Sequence, residues 1–104
     1  MKIIQLEYFC AVARYHSISE AARKLYVTQP AISNAIRELE KEYAIRLFFH
    51  GKNKLSLTSE GEQFYHTAEA LLKQVENASV QLQARRLSHF RGIFRFVDRQ
   101  YAFL

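Results

Sequence analysis

The sequence SISEAARKLYVTQP, residues 17–30, contains two helix starts with little chain between them. Ser17 is a candidate N-cap, and Glu20 completes a Ser-x-x-Glu capping box with it. Thr28 is the next candidate cap. Pro30 falls in the first turn of the following helix, where a missing N–H costs little because that donor has no helical partner. Two helices joined this tightly are typical of a helix-turn-helix.

The helix that begins near Gln29 has two different faces. Successive residues are about 100° apart around a helix, and this spacing places four apolar residues on one side: Ile32, Ala35, Ile36 and Leu39. The opposite face is polar and short-chained, with one arginine, and consists of Gln29, Pro30, Ser33, Asn34 and Arg37. Amide and guanidinium groups bond to base edges in pairs, and small residues let a helix seat deeply in the major groove. An ordinary solvated face usually carries more Glu and Lys, so the pattern favours a DNA-reading helix.

The segment before this pair predicts a core helix, and the segment after it predicts a hairpin. Apolar residues recur on one side from about Ile4 to Tyr15, and Cys10 among them is expected to be a buried thiol. Two short strand candidates, Phe48–His50 and Leu55–Leu57, flank a turn that contains Lys52 and Lys54. A hairpin with a basic tip beside a recognition helix is a wing, suited to contacts with phosphates or the minor groove.

A long helix is predicted to follow the wing. Thr58 or Ser59 is expected to cap it, Ser59 and Glu62 are expected to form another capping box, and no helix breaker occurs before Gly92. Apolar residues recur along it at alternating spacings of four and three: Phe64, Ala68, Leu71, Val75, Ala78 and Leu82. A seam of this length favours pairing with a second copy of the helix. The alternative is that the stripe packs on its own domain, which could cover only its first turns.

Charge is segregated along the 104-residue chain, whose formal net charge is +5. Residues 1–58 carry a net +4, residues 59–84 carry −3, and residues 85–104 carry +4. A basic domain joined to an acidic helix fits nucleic-acid binding at the front and self-association behind, although an ordinary solvated surface gives similar totals. The chain has neither an apolar run long enough to cross a bilayer nor a secretory signal, so we expect no membrane association and a cytoplasmic location.

Few residues in the sequence could support catalysis or bind a metal. The four histidines are scattered, and the single cysteine has no metal-binding partner nearby. We therefore expect no metal site, no cofactor and no catalytic residues, and the chain is not expected to be an enzyme. A rival class is a protein-interaction module that captures partners through the long helix, but this class would not need the polar face of Gln29, Ser33 and Asn34.

Six motifs, in order, resemble the N-terminal domain of LysR-type transcriptional regulators. They span most of the chain from Leu6 to about Leu82 and are Leu6-x-x-Phe9 with Val12-Ala13, Ser17-Ile18-Ser19-Glu20-Ala21-Ala22-x-x-Leu25, Thr28-Gln29-Pro30-Ala31-Ile32-Ser33, Ile36-x-x-Leu39-Glu40, Leu47-Phe48, and Leu57-Thr58-x-x-Gly61. The resemblance implies a mostly helical fold with a small β-hairpin, namely a winged helix-turn-helix followed by a long linker helix. It also implies a homodimer that pairs through the linker helix and binds a partly palindromic operator in double-stranded DNA.

The resemblance assigns roles by position. The expected recognition-helix contacts are Thr28, Gln29, Pro30, Ser33, Asn34 and Arg37, and the expected wing contacts are His50, Lys52 and Lys54. The expected domains are a DNA-binding domain over residues 1–58, a linker helix over residues 59–88, and a tail over residues 89–104. The tail resembles the start of an effector-binding domain, so a small-molecule effector is expected only in a full-length protein. Its alternating Arg and aromatic residues also leave open a membrane-surface or single-strand-binding role.

Three positions depart from the family pattern. His50 stands where the family usually has an arginine, which replaces a permanent charge by a titratable one. Asn34 stands where a basic residue is common, so the base preference should differ. Ala44 occupies a position at the end of the third helix where glycine is common, so the turn into the wing should be less relaxed.

Overall fold

A computed structural model describes residues 1–50 and 55–89 of the chain, without the side chains of His50 and residues 87–89. The elements in chain order are α1 (Ile3–Tyr15), α2 (Ile18–Leu25), α3 (Gln29–Tyr43), β1 (Phe48–His50), β2 (Leu55–Leu57) and α4 (Ser59–His89). The two strands pair antiparallel, with Phe48 opposite Leu57 and His50 opposite Leu55. This is the predicted fold class, three helices and a β-hairpin followed by a long helix.

The helix starts are set by the predicted side chains, with two corrections. Ser17 accepts a hydrogen bond from the Glu20 amide at 3.1 Å, and Thr28 accepts one from the Ala31 amide at 3.3 Å. The predicted Ser17–Glu20 capping box is only half formed, because the Glu20 carboxylate accepts hydrogen bonds from the Arg23 guanidinium at 2.6 and 3.2 Å. Arg23 is three residues after Glu20 on the same exposed helix, so its guanidinium group competes with the Ser17 amide for the Glu20 carboxylate.

The start of α4 corrects the second predicted capping box. The Thr58 hydroxyl accepts from the Gly61 amide at 2.9 Å and is the N-cap, whereas the Ser59 hydroxyl donates to Glu60 at 2.7 Å. Thr58 is buried while Ser59 is exposed, so the residue that already faces the domain interior performs the capping. The prediction of a Ser59–Glu62 capping box is therefore wrong.

The core forms around α1, which contacts α2, α3 and β2. Phe9 has no exposed surface, and its ring lies 5.4 Å from that of Phe48 and 5.0 Å from that of Phe64. Offset and tilted pairs at these centroid distances contribute beyond simple area burial. The apolar face predicted for α3 is buried in this core: Ile32, Ala35, Ile36 and Leu39.

Ala44 ends α3 in the left-handed region, with φ 51° and ψ 47°. Its amide donates to the carbonyls of Glu40 and Lys41 and so terminates the helix. For an L-residue this conformation costs about 1 kcal/mol, because Cβ crowds the following carbonyl oxygen, and glycine avoids that contact. The expected strain in the turn toward the wing is therefore present at Ala44.

The first turns of α4 are joined to α1 by a polar cluster. Glu69 accepts a hydrogen bond from the Tyr65 hydroxyl at 2.8 Å, and the Arg14 guanidinium lies 3.4 Å from the same oxygen. Burial raises the pKa of Tyr65, and the hydrogen bond to Glu69 acts in the same direction. These contacts place the start of α4 on the C-terminal end of α1.

The apolar stripe of α4 divides into two parts. Ala68 has no exposed surface and Phe64 is half-buried against Phe9, so these two residues belong to the core of their own domain. Ala68 therefore cannot contact a partner, and the earlier alternative, own-domain packing, holds for this first part. The remaining predicted seam residues are exposed: Leu71, Val75, Ala78 and Leu82.

The chain divides between Ala70 and Leu71, inside α4, into two compact units. The domain limits expected from the sequence, 1–58, 59–88 and 89–104, remain predictions. The expected effector-domain remnant lies outside the described residues apart from its first residue.

Candidate nucleic-acid interface

The polar face of α3 is directed outward, as its amphipathic pattern predicts. Five of the six predicted recognition residues are exposed, namely Thr28, Gln29, Pro30, Asn34 and Arg37. Ser33 is half-buried. The face is presented because Ile32, Ile36 and Leu39 on the opposite side are held in the core, which fixes the rotation of the helix about its axis.

Two side chains on this face contact each other. The Arg37 guanidinium donates to the Asn34 carbonyl oxygen at 2.8 Å. Across the residues that the structure describes, Arg37 forms no ion pair with a carboxylate. Its positive charge is therefore available to an anionic or electron-rich ligand.

A cleft separates this face from the hairpin. Its volume is about 520 Å³, and its walls come from α2, α3, the α3–β1 connection and both strands: Ile18, Ser33, Ile36, Arg37, Glu40, Arg46, Phe48 and Leu55. Arg46 is exposed in the connection between α3 and β1. It places a second guanidinium group on the cleft that Arg37 lines, and motif matching did not single it out. Its position directly before the Leu47-Phe48 motif was the available signal.

The root of the wing is fixed from two sides. From α3, the Glu40 carboxylate accepts from the amides of Leu47 and Phe48 at 2.8 and 3.4 Å. From the start of α4, the Thr58 hydroxyl donates to the Arg46 carbonyl at 2.6 Å, and the Thr58 amide donates to the Leu47 carbonyl at 3.0 Å. Glu40 therefore supports the wing, a role that its placement among the acids at the end of α3 did not indicate.

Gly61 allows the start of α4 to lie against this root. A Cβ atom at position 61 would lie 2.1 Å from the Leu47 carbonyl oxygen, well inside van der Waals contact. Glycine at this position is thus required by a close approach of two backbone segments.

The structure describes only one of the three predicted wing contacts. β1 places His50 in the hairpin, whereas Lys52 and Lys54 lie outside the described residues.

Tyr26 is another exposed residue that motif matching did not single out. It occupies the turn between α2 and α3 with φ 57°, and 95% of its surface is exposed. An aromatic residue held in the left-handed region at full exposure gains little from packing. The sequence alone indicated a turn at this point but not the exposure of the ring.

Other kinds of site are poorly represented in the described part of the chain. In residues 1–50 and 55–89 we find no group of three His, Cys, Asp or Glu side chains that could hold a metal ion. Over the same ranges, no helix is both long and apolar enough to cross a membrane. Cys10 is buried, and burial raises its pKa to about 11, so the thiol is inert at neutral pH.

The outward polar helix, the tight turn before it and the clamped hairpin beside it define a winged helix-turn-helix domain. Residues 3–62 match the family of bacterial regulatory helix-turn-helix proteins of the lysR type. The chain is 41% identical over 87 residues to the Hca operon transcriptional activator HcaR of Escherichia coli. This alignment covers 84% of this chain and 29% of HcaR.

The structure is also similar to solved structures. It matches the BenM DNA-binding domain, crystallised with catB site 1 DNA, with a TM-score of 0.79, 34% identity and coverage of 88% of this chain and 99% of that one. It matches the CbnR DNA-binding domain from a DNA complex with a TM-score of 0.77, 29% identity and coverage of 83% and 99%.

The chain belongs to the LysR family, and its winged helix-turn-helix is a DNA-binding domain of that type. The resemblance inferred from the six motifs is confirmed. The chain spans less than a third of the length of the curated relatives HcaR, CfxR and BsdA.

Proposed function

We propose that this chain is the operator-reading part of a transcriptional regulator, binding a partly palindromic site in double-stranded DNA as a homodimer. The observation that carries the proposal is the outward face of α3, where Arg37 has no carboxylate partner among the described residues. The relatives are transcriptional regulators, which supports a regulatory and not an enzymatic role in the cytoplasm.

The recognition face supplies the proposed base contacts. Thr28, Gln29 and Pro30 lie at the N-terminal end of α3, the end that enters the major groove in helix-turn-helix proteins. Asn34 and Arg37 extend the contact surface along the next turn, and Ser33 is small enough to allow close approach. Gln29 and Arg37 have side chains that form paired hydrogen bonds with base edges.

The wing supplies the proposed backbone contacts. His50, Lys52 and Lys54 would approach phosphates or the minor groove beside the base pairs read by α3. Glu40 and Thr58 support this proposal because their hydrogen bonds attach the root of the hairpin to α3 and to the start of α4, beside the recognition face. Phosphate contacts of this kind make affinity fall steeply with salt, because bound counterions are released.

The second part of the α4 stripe supplies the proposed dimer contact. Leu71, Val75, Ala78 and Leu82 recur at coiled-coil spacing and are exposed in the single chain, with Leu82 70% exposed. Pairing with a second copy would bury these side chains and give the dimer two recognition helices, one for each half-site of a partly palindromic operator. Response to a small-molecule effector would require the longer protein that the curated relatives represent.

Substitution of Arg37 by alanine tests the base-reading role. If its guanidinium pairs with a guanine, we expect Arg37→Ala to cost about 1–3 kcal/mol in binding to the preferred duplex and to relax specificity at that base pair. The measurement is a titration of the preferred duplex and of its single-base-pair variants at fixed salt. Lys52→Ala is the control with the same loss of charge. It should weaken all duplexes alike and reduce the salt dependence, and a uniform loss for Arg37→Ala would reassign Arg37 to phosphate.

A further inference from the structure

Asn34 and Arg37 form a contact on the recognition face that constrains how each can be used. The residues are three apart in α3, both are exposed, and the Arg37 Nη1 to Asn34 Oδ1 distance is 2.8 Å. A guanidinium group only donates hydrogen bonds, so the atom that faces it must be the carbonyl oxygen of the Asn34 amide. The contact thereby sets the orientation of the amide as well as that of the guanidinium group.

This orientation disfavours the usual reading by asparagine. Asparagine recognises adenine by accepting from the N6 amino group through its carbonyl oxygen while donating to N7 through its amide nitrogen. In this structure the Asn34 carbonyl oxygen is already engaged by Arg37. That oxygen keeps one free lone pair, so adenine would have to approach an amide whose plane is already fixed by the bond to Arg37, and would share its acceptor with the guanidinium group.

The same contact favours recognition of guanine by Arg37. An arginine side chain loses much rotamer freedom when it binds, and a group that is held in advance loses less. Asn34 engages one of the five N–H donors, which leaves others for the O6 and N7 acceptors of a guanine. No carboxylate pairs with Arg37 among the described residues, so its positive charge is not offset on this face.

We propose that Asn34 is a positioning residue that orients the Arg37 guanidinium group toward one guanine, and that it does not read a base pair of its own. This inference rests on the proposed function, since it assumes that α3 enters the major groove. It assigns the Asn34–Arg37 pair to one guanine, whereas the family commonly has a basic residue at the position of Asn34.

The test is a set of variants at the two positions, titrated against the preferred duplex and all its single-base-pair variants. Arg37→Ala should reduce discrimination at one base pair in each half-site about 10- to 100-fold. Asn34→Ala should reduce discrimination at that same base pair about 3- to 10-fold, the effect of one hydrogen bond. The double variant should lose no more discrimination than Arg37→Ala alone, because Asn34 acts through Arg37.

Asn34→Asp separates positioning from direct reading. A carboxylate still accepts from Arg37 but cannot donate to adenine N7, so discrimination at the Arg37 base pair should be retained relative to Asn34→Ala, with a uniform loss of affinity from the added negative charge. Unfolding curves of the Asn34 variants should match that of the wild type, since the side chain is exposed.

Two results would overturn the proposal, and they are distinguishable. If Asn34→Ala relaxes a different base pair from Arg37→Ala, with additive losses in the double variant, Asn34 reads a base itself and the pairing fails. If Arg37→Ala weakens binding to all duplexes alike, Arg37 contacts phosphate and the positioning role of Asn34 fails, whereas the proposed function fails only if the wild-type chain itself prefers no duplex.

Discussion

Substitution of Gly61 by alanine should lower the free energy of unfolding of the winged domain by about 3 kcal/mol, the upper end of the usual cost of overpacking. The added Cβ would lie 2.1 Å from the Leu47 carbonyl oxygen and 3.0 Å from both the Leu47 carbonyl carbon and the Leu57 Cδ2 atom. Two of these three atoms belong to the backbone and cannot rotate away. Alanine is favoured over glycine in a helix by about 1 kcal/mol, so the clash must exceed that gain.

Urea unfolding of the two proteins measures this effect. The protein concentrations must be matched, because dimerisation would make the free energy of unfolding depend on concentration. Thr67→Ala is the control, since Thr67 is an exposed residue in the same helix and its loss should change stability by less than about 0.5 kcal/mol. A Gly61→Ala chain as stable as the wild type would show that α4 does not begin against the Leu47 carbonyl.

Substitution of Glu40 by alanine should lower the free energy of unfolding by about 2–3 kcal/mol. Glu40 is half-buried and accepts from the amides of Leu47 and Phe48, and Phe48 itself is buried. Removal of the carboxylate leaves two backbone donors without their acceptor at the point where the chain enters the wing. The loss should therefore exceed that of a surface ion pair, which is typically below about 1 kcal/mol.

Glu42→Ala provides the matched comparison for Glu40. Glu42 is an exposed carboxylate in the same helix whose contact is an ion pair with the Met1 amino group at 3.1 Å, so we expect its loss to cost less than about 1 kcal/mol. Equal and small effects for the two variants would mean that Glu40 does not hold the wing root, and its role in positioning the wing would be discarded.

Local signals explain why most of the fold could be predicted from the sequence. Ser17, Thr28 and Thr58 are polar residues placed directly before apolar periodicity, and each accepts the hydrogen bond of a helix cap. Capping and periodicity depend on residues only a few positions apart, so they can be read without knowledge of the tertiary structure. Both strands were predicted with their observed limits for the same reason.

Contacts between distant segments explain what the sequence did not reveal. The bonds from Glu40 to Leu47 and Phe48, and from Thr58 to Arg46, depend on how the end of α3 meets the start of α4. The heptad spacing of α4 likewise could not show that Ala68 is enclosed by its own domain. A spacing pattern identifies the apolar face of a helix. How many turns of that face are buried depends on the elements that pack against it.

The candidate site was predictable to a similar degree. The outward direction of Gln29, Asn34 and Arg37 followed from the apolar residues on the other side of α3. The contact between Asn34 and Arg37 did not follow, because many i,i+3 pairs on an exposed face do not form. Arg46 lies outside any periodic element, so its position in the cleft depended on the path of the α3–β1 connection.

Reading of base sequence in duplex DNA by the exposed face of α3 can be measured by selecting bound duplexes from a random pool, with the whole chain at fixed salt. We expect enrichment of two similar half-sites in inverted orientation, with centres about one helical turn apart or a multiple of it. A bound pool that stays random in sequence would mean that α3 reads no bases and that the chain binds DNA through its charge alone.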